Sequence, residues 1–284
     1  MTTFTAACVQ LRSSKSIPEN TATAKELIRA AANDGASFVQ TPEMSNILVR
    51  SRDDLFEALE EVVPDPFVAM ARDQAAELGI FLHLGSLAVV LVNGRVANRS
   101  YLIAPDGEIQ ATYDKIHMFD VDLPSGESWR ESATYKPGEH SPVVEFLGAK
   151  FGMAICYDIR FPALFRSQSK LGAEILTSPA AFTRQTGEAH WHVLQRARAI
   201  ENGAYVVSAA QGGLHDDGRE TYGHSLVVDP WGTVIAELDH DDPGYVLAEI
   251  DTENVAKARA RIPAIKNERE FTCRIVDGSK EMPA

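Results

Sequence analysis

The sequence predicts a layered α/β fold, and two observations support this prediction. Short apolar runs of strand length alternate along the chain with longer segments of helical periodicity. Glycine and proline occur as scattered turn residues, and no serine-rich or glycine-rich tract, low-complexity block or repeat divides the chain. With 284 residues, 45% of them hydrophobic, the chain can bury one large core or two small ones. Because no linker is visible, we expect one domain over residues 1–284.

The first part of the chain is predicted to alternate strands and helices. Gly35 and Gly79 follow the two helices, as glycine often follows a helix C-terminus, and Asn93-Gly94 is a preferred hairpin turn. Residues 114–142 are polar and broken, and a connection this long in a compact domain often carries function. The predicted elements are a strand at 4–11, a helix at 20–34, a strand at 37–41, a helix at 66–78, a strand at 80–84, a hairpin over 89–103 and a strand at 109–113.

The second part of the chain repeats this rhythm. Pro230-Trp231-Gly232 provides a turn between two of its strands. The predicted elements are helices at 163–171, 189–202 and 252–260, and strands at 175–178, 205–210, 225–228, 233–238 and 245–250.

The composition excludes several classes of partner. Twenty-seven lysines and arginines stand against 40 aspartates and glutamates, and a net charge of -13 repels nucleic acid and anionic membranes. No run approaches the length of a membrane span, and the N-terminus does not have the pattern of a secretory signal, so we expect a cytoplasmic protein. The three cysteines lack paired spacing, which argues against disulfides and cysteine zinc sites and favours a reducing compartment.

Cys156 is the first candidate for chemistry. It ends a short apolar run that starts near Lys150 and passes at once into polar residues. At such a strand exit, backbone N–H groups and a helix N-terminus are expected to favour the thiolate. A lone cysteine can instead be an inert core residue, so this assignment needs partners. A catalytic thiol requires a base and a group that stabilises charge, which we expect at other strand exits.

Two such partners follow predicted strands. Glu43 comes after Thr41-Pro42, where proline ends the strand, and can act as a base. Lys115 follows the strand at 109–113 and is flanked by apolar residues that can bury it, so its ammonium can bind an oxyanion. The alternative for both residues is an ordinary solvated side chain.

In chain order, this Glu, Lys and Cys resemble the signature of the nitrilase superfamily. The resemblance implies a four-layer αββα sandwich that hydrolyses nonpeptide carbon-nitrogen bonds without metal or organic cofactor and assembles into a homodimer or higher homo-oligomer. It also suggests that the C-terminal segment 263–284 is a tail used in oligomer contacts. The matching segments are Thr41-Pro42-Glu43, Tyr113 to His117, Glu131 ahead of Pro137-Gly138, Cys156 to Pro162, and Gly187 to Trp191.

The resemblance assigns roles to these residues. Glu43 would take the proton of Cys156 and later pass one to the departing ammonia, which a base of raised pKa can do in both directions. Lys115 and the backbone N–H of Tyr157 would hold the oxyanion, and Glu131 would orient the lysine and the amide. A thioester would form on the sulfur, and water would hydrolyse it.

The run from Gly187 to Asn202 resembles the amidase branch that contains deaminated glutathione amidase and omega-amidase. Ala209-Ala210-Gln211 and Tyr222 to Ser225 favour the former activity. The expected substrate is therefore a small linear amide with a carboxylate, with α-ketoglutaramate or a carbamoyl compound as alternatives. One departure is Asp114, where relatives often have a basic residue. A solvent-facing side chain at this position would matter little for the charge near Lys115.

Three residues are implied to line the substrate pocket. Arg160 would bind a carboxylate with two parallel hydrogen bonds, Phe182 would form an apolar wall, and Thr186 would donate a hydroxyl. The alternatives are a structural ion pair for Arg160, a core position for Phe182 and a turn before Gly187 for Thr186.

Other motifs are weaker. His190 and His192 diverge if their segment begins a helix, so a zinc site is not expected. Gly223-His224-Ser225 lacks the second glycine of a serine-hydrolase elbow, because Val227 stands there. Two alternatives stay open beside the amidase: an acyl transferase that uses the same thioester, and a noncatalytic ligand-binding relative.

Overall fold

The computed structural model describes residues 2–60, 65–92, 94–123, 126 and 128–276. The α-helices of this part are α1 (Ile17–Asn33), α2 (Arg52–Glu60), α3 (Pro66–Leu78), α4 (Pro162–Lys170), α5 (Arg184–Asn202) and α6 (Thr252–Arg261). Its strands are β1 (Thr3–Gln10), β2 (Phe38–Gln40), β3 (Phe81–Val90), β4 (Val96–Ile103), β5 (Ile109–Asp114), β6 (Asp120–Asp122), β7 (Ser128–Arg130), β8 (Val143–Phe146), β9 (Ala149–Gly152), β10 (Ile175–Thr177), β11 (Tyr205–Ser208), β12 (Gly212–Leu214), β13 (Glu220–Tyr222), β14 (Leu226–Val228), β15 (Val234–Glu237) and β16 (Gly244–Asp251). Short 3₁₀ helices cover Glu131–Ala133 and Cys156–Arg160.

The described strands form two six-stranded sheets with the same internal pattern. Sheet one has the order β16-β1-β2-β3-β4-β5, and sheet two has the order β15-β14-β11-β10-β9-β8. Three neighbouring strands are parallel in each sheet, β1 to β3 in sheet one and β9 to β11 in sheet two, and the outer strands pair antiparallel to them. The second half therefore repeats the strand rhythm of the first, as the sequence predicts.

The two sheets pack face to face, and helices cover their outer faces. Between the sheets, the Phe38 ring of sheet one lies 5.2 Å from the Phe151 ring of sheet two, centroid to centroid. Helices α1 and α3 bury Ile28 and Phe67 with the apolar residues of sheet one. Helices α4 and α5 bury Phe165 and Trp191 with the apolar residues of sheet two. The predicted four-layer αββα sandwich is confirmed.

Most predicted helix boundaries agree with the structure, and α3 agrees at both ends. Gly79 ends α3 with a φ of 66°, a left-handed conformation that glycine adopts without steric cost. Helix α5 begins five residues before its predicted start and includes Gly187. A Cβ at Gly187 would lie 2.2 Å from Cβ of Tyr222. This glycine therefore allows close packing and does not mark a helix end.

Several short elements were not predicted. The polar connection 114–142 contains the two-stranded β6-β7 sheet, and a second small sheet pairs β12 with β13. Helix α2 and strand β8 were also missed. These elements are short, and β6 and β7 are mostly exposed, so they lack the apolar periodicity that reveals a buried strand.

Two predictions touch residues outside the described part. Strands β3 and β4 form the expected hairpin, with Val90 opposite Val96, but Asn93 of the predicted turn lies outside the described residues. So do residues 277–284 of the predicted tail. In the described part of that tail, Glu268 accepts a hydrogen bond from Lys170 of α4 at 2.7 Å. Among the described helices, none is both long and apolar enough to cross a membrane.

Polar side chains join the two sheets inside the sandwich. The Gln40 side-chain oxygen accepts the Ala209 N–H at 2.7 Å, and its amide nitrogen lies 3.0 Å from Nδ1 of His83. His83 Nε2 lies 2.7 Å from the Ser100 hydroxyl. Burial lowers the pKa of His83 to about 3, so this imidazole is neutral at pH 7. The network is satisfied with an uncharged histidine.

Candidate active site

The strand exits predicted to carry chemistry converge on one cavity of about 330 Å³. Glu43 follows β2, Lys115 follows β5, and Cys156 follows β9. All three line the cavity, and their exposed fractions are only 4%, 2% and 7%. The thiol comes from sheet two, whereas the carboxylate and the ammonium come from sheet one. The site therefore lies where the two sheets meet.

Cys156 occupies a sharp bend at the start of its 3₁₀ helix. Its φ of 48° is left-handed, a conformation uncommon for residues other than glycine and often found at functional sites. The Cys156 N–H donates to the carbonyl of Pro179 at 2.8 Å. Buried Asp158 supports the bend, because its carboxylate accepts the Ile155 N–H at 2.9 Å and the Tyr113 hydroxyl at 2.6 Å. These bonds fix the direction of the thiol.

Lys115 binds both predicted glutamates. Its Nζ donates to Oε1 of Glu43 at 2.8 Å and to the two oxygens of Glu131 at 2.9 and 3.1 Å. Glu131 lies in the 3₁₀ helix after β7, and its Oε2 also accepts the Phe119 N–H at 2.6 Å. Burial alone would lower the pKa of Lys115, but the two carboxylates raise it well above its usual value. The ammonium therefore keeps its proton.

Both carboxylate oxygens of Glu43 accept hydrogen bonds. Oε1 accepts from Lys115, and Oε2 accepts the Ala181 N–H at 2.8 Å. Burial raises the pKa of Glu43, but the charge of Lys115 and hydrogen bonds from Lys115, Cys156 and Asn98 outweigh it and lower the pKa below its usual value. The expectation of a raised pKa is therefore wrong, and Glu43 is a carboxylate at neutral pH.

The thiol of Cys156 is not a preformed thiolate. Burial raises its pKa well above the usual value, and the negative charge of Glu43 adds to this effect, while Lys115 opposes it. The expectation that backbone N–H groups and a helix N-terminus favour the thiolate is wrong, because burial and the neighbouring carboxylate are stronger. A reaction at this sulfur needs a base, and Glu43 is in hydrogen-bond contact with it.

Asn98 was not predicted as a site residue. Its amide nitrogen donates to Oε1 of Glu43 at 2.9 Å and to Oε1 of Glu131 at 3.1 Å. Its own oxygen is buried without a hydrogen-bond partner in the described part of the chain. Asn98 lies within β4, where its inward direction depends on strand register and no motif marks it. It bridges the two carboxylates that share Lys115.

The predicted pocket residues line the same cavity. Tyr157 and Phe182 present their rings to Arg160, whose guanidinium carbon lies 5.8 and 5.4 Å from the ring centroids. Both terminal nitrogens of Arg160 lie 3.3 Å from Nδ1 of His190, and no carboxylate of the described residues pairs with this arginine. The structural ion pair considered as an alternative is therefore not present in that part of the chain. Arg160 can bind an anion that enters the cavity.

Phe182 and Thr186 are both buried at the cavity wall. Phe182 packs edge-on against Trp191, with centroids 5.0 Å apart, so it belongs to the core as well as to the pocket. Thr186 lies in the first turn of α5, not in a turn before Gly187, and its hydroxyl is 2.8 Å from that of Thr183. A hydroxyl has one donor and two acceptor sites, so Thr186 can bond a ligand in addition to Thr183.

Asp114 does not face solvent freely. It forms two hydrogen bonds with Arg99, at 2.6 and 2.9 Å, and both side chains are about one quarter exposed. His190 and His192 both lie within α5, and His192 bonds Glu237 at 2.6 Å. Residues 2–60, 65–92, 94–123, 126 and 128–276 contain no group of three or more His, Cys, Asp or Glu arranged to hold a metal.

Together these groups suit acyl transfer at a sulfur atom. A carboxylate contacts a thiol, a buried ammonium stands beside both, and the N–H groups at the start of a 3₁₀ helix have no partners within it. Such an arrangement can move the thiol proton and bind negative charge that develops on a carbonyl oxygen.

Comparison with known proteins agrees with this chemistry. The chain matches the model of the carbon-nitrogen hydrolase family over residues 5–260. It is 41% identical to the probable hydrolase nit2 of Schizosaccharomyces pombe, over 92% of this chain and 96% of that protein. It is 37% identical to the deaminated glutathione amidase of a Synechocystis species, over 94% of this chain and 98% of that protein.

A solved structure shares both the fold and the sequence pattern. Saccharomyces cerevisiae Nit3, described as a member of branch 10 of the nitrilase superfamily, is similar with a TM-score of 0.85 and 31% identity. The match covers 95% of this chain and 97% of that one. The chain therefore belongs to the carbon-nitrogen hydrolase family, within the nitrilase superfamily, and is a hydrolase that acts on carbon-nitrogen bonds.

Proposed function

We propose that this protein is an amidase that cleaves a carboxylate-bearing amide through a thioester on Cys156, and that deaminated glutathione is its substrate. One observation carries the proposal: a buried thiol, its carboxylate partner Glu43 and the ammonium of Lys115 share a cavity with the guanidinium of Arg160, which pairs with no carboxylate of the described residues. The name of the Synechocystis relative supports the choice of substrate.

In the proposed mechanism, Glu43 takes the thiol proton while the sulfur of Cys156 attacks the amide carbon. The raised pKa of the thiol means that its proton leaves only as the sulfur–carbon bond forms. Lys115 and the N–H of Tyr157 donate hydrogen bonds to the oxyanion. Glu131 and Asn98 hold Lys115 and Glu43 in place through the hydrogen bonds described above.

The amide then breaks. Glu43 gives its proton to the departing nitrogen, which leaves as ammonia or as an amine, and the acyl group stays on the sulfur. The lowered pKa of Glu43 suits this step, because a low pKa makes the protonated carboxyl a ready acid. Water then attacks the thioester and Glu43 accepts one of its protons. The carbon–sulfur bond breaks as Glu43 passes this proton to the sulfur, which restores the thiol and the Glu43 carboxylate.

Arg160 is the proposed anchor for the acyl side of the substrate. Its two terminal nitrogens can bind a carboxylate through parallel hydrogen bonds, and only His190 competes for them among the described residues. Phe182 supplies an apolar wall beside it, and Thr186 a hydroxyl.

Steady-state rates on deaminated glutathione, α-ketoglutaramate and a carbamoyl compound test the substrate assignment. We expect the highest kcat/KM on deaminated glutathione. The Cys156→Ala variant should keep its fold by circular dichroism and lose turnover, and intact mass should reveal an acyl adduct on the wild-type protein during turnover. A wild-type protein that binds these amides without hydrolysing them would favour the noncatalytic alternative. Acyl transfer to an added amine in preference to water would favour the transferase.

We also propose that residues 1–284 act as one domain in a cytoplasmic homo-oligomer. The net charge of -13 and three free cysteines support a reducing compartment. Exposed apolar side chains on and next to α5 and α6, among them Val193, Trp231 and Ile262, support association of copies. Light scattering after size exclusion, on the full chain and on a chain ending at residue 262, tests whether the segment 263–284 contributes.

A further inference from the structure

We propose that Arg219, assisted by Arg50, forms a second carboxylate site in the same cavity, so that the substrate carries an acidic group on each side of the amide that is cleaved. This inference rests on the proposed function and extends it to the leaving group, which would be a carboxylate-bearing amine in place of ammonia. It concerns residues that no family motif in this sequence includes.

Arg219 is a largely buried cation with unused hydrogen-bonding capacity. Its side chain lines the cavity and is only 14% exposed. The Nη2 atom lies 3.6 Å from Oδ2 of Asp217, which is an ion pair beyond hydrogen-bond distance. The Nε atom is buried without a hydrogen-bond partner among the described residues. Because leaving a buried donor unpaired costs free energy, this guanidinium is suited to a ligand that supplies acceptor oxygens.

Arg50 adds a second positive charge at the same place. The guanidinium carbons of Arg50 and Arg219 lie 4.6 and 4.1 Å from the ring centroid of Trp129. Asp217 compensates one of the two charges, so this end of the cavity keeps an excess of positive charge. The Trp129 indole N–H is also buried without a partner in the described part of the chain. Three groups that favour an anion therefore meet around one ring.

Arg130 is a cavity arginine that already has a carboxylate partner within the protein. It also lines the cavity, but it forms hydrogen bonds of 2.8 and 2.9 Å with the two carboxylate oxygens of Asp122. Its charge is compensated within the protein, whereas Arg50 has no ion-pair partner among the described residues. Arg130 therefore serves as the control for substitutions of Arg219 and Arg50.

A row of aromatic rings separates the second site from Arg160. Trp129 lies 6.4 Å from Phe119, and Phe119 lies 5.1 Å from Tyr157, centroid to centroid. Arg160 stands over Tyr157 at the other end of the row. All of these residues line the one cavity, and Cys156 directly precedes Tyr157. A linear molecule that lies along the row can place one carboxylate at each guanidinium and an amide near the thiol.

The candidate substrates differ in the number of carboxylates that they carry. Deaminated glutathione keeps a carboxylate at both ends, one on the acyl side and one on the terminal glycine, whereas α-ketoglutaramate has only the former. With Arg160 on the acyl side, Arg219 would bind the glycine carboxylate. In the reaction the carbon–nitrogen bond breaks, the nitrogen takes the proton held by Glu43, and a peptide-like amine departs with its own carboxylate still on Arg219.

The test measures binding separately from turnover. In the Cys156→Ala background, calorimetry would give Kd for deaminated glutathione, for the same molecule with its glycine carboxylate converted to an amide, and for α-ketoglutaramate. We expect Arg219→Gln to raise Kd for deaminated glutathione by about tenfold or more, since it removes a charge-assisted hydrogen bond. Kd for the other two ligands should change by less than about twofold, and Arg130→Gln, the matched control, should not discriminate among the three.

Two results would overturn the second site. One is that Arg219→Gln weakens the binding of all three ligands equally, which would indicate a structural role. The other is that the binding of deaminated glutathione is unchanged. If Arg219→Gln does not fold, Arg50→Gln at an exposed position replaces it, with the same selective loss expected at about threefold. Failure of the proposed function is distinct: the wild-type enzyme would hydrolyse none of the amides, while the charge-dependent binding would still be measured.

Discussion

Lys115 and Glu43 form a buried ion pair, with Nζ and Oε1 2.8 Å apart, and the same ammonium also binds Glu131. Two carboxylates therefore share one ammonium next to a thiol. Burial is the main reason why the pKa of Cys156 is raised, and the negative charge of Glu43 adds to it despite the cationic neighbour Lys115. The arrangement favours a neutral thiol beside an ionised Glu43, which is the pair that the proposed mechanism requires.

Glu43→Gln should lower kcat by about 10² to 10⁴-fold, because the amide cannot accept the thiol proton. Steady-state kinetics on the best amide would measure the loss. The exposed Glu145→Gln substitution removes one carboxylate elsewhere and should leave the rate unchanged. A Glu43→Gln enzyme with wild-type kcat would contradict the role of Glu43 as the base.

Asn98→Asp should impair catalysis more than Asn98→Ala. Alanine removes the two hydrogen bonds to Glu43 and Glu131, which we expect to cost about 1 to 3 kcal/mol of transition-state stabilisation. Aspartate keeps the shape but adds a third carboxylate around Lys115. Comparison of kcat with KM, and of thermal stability, would separate positioning from loss of fold. Equal activity of the aspartate and wild-type enzymes would refute the bridging role.

Arg160→Ala should lower kcat/KM for carboxylate-bearing amides more than for neutral amides of the same length. We expect the difference to correspond to about 1.5 to 3 kcal/mol. The contact of Arg160 with His190 is long, at 3.3 Å, so little internal bonding is lost with the side chain. Substitution of His190 by alanine provides the control and should preserve the preference for carboxylates. A loss of the same size on both kinds of amide would argue against the anchor.

The lowered pKa of His83 indicates that the folded protein should lose stability in mild acid. Its pKa is lowered to about 3 in the folded protein, against an ordinary value of 6.5, so between these values the unfolded chain binds a proton that the folded one does not. The free energy of unfolding should therefore fall by about 1.4 kcal/mol per pH unit below about 6 because of this residue. Urea unfolding of wild type and His83→Gln from pH 7 to 4 would reveal the difference. Parallel pH curves for the two proteins would disprove it.

The sequence predicted the parts of the site that stand where strands end. Glu43, Lys115 and Cys156 all follow strands whose ends the sequence pattern indicates without any structure. Glu131 was found only through the family resemblance, because the polar segment 114–142 gives no periodic signal. The pKa directions of Glu43 and Cys156 were predicted wrongly, since they depend on burial and on charges brought together from distant positions.

Residues that act through register or through tertiary contact escaped prediction. Asn98 is one polar residue in a hairpin strand, and its inward direction follows from pairing. Trp129 and Arg219 meet only because β7 and the β12-β13 hairpin border the same cavity. The overall layers were predictable because strand and helix periodicities are local, whereas these contacts are not.

The division of the site between the two sheets has a consequence for biogenesis. A chain that has built only one half of the sandwich holds either the sulfur or its carboxylate and ammonium partners, never the complete set. A nascent or partly refolded molecule with only one sheet formed therefore lacks the complete site. After dilution from denaturant, hydrolysis should therefore return only when the two halves have joined. This recovery is expected later than the return of helical circular dichroism.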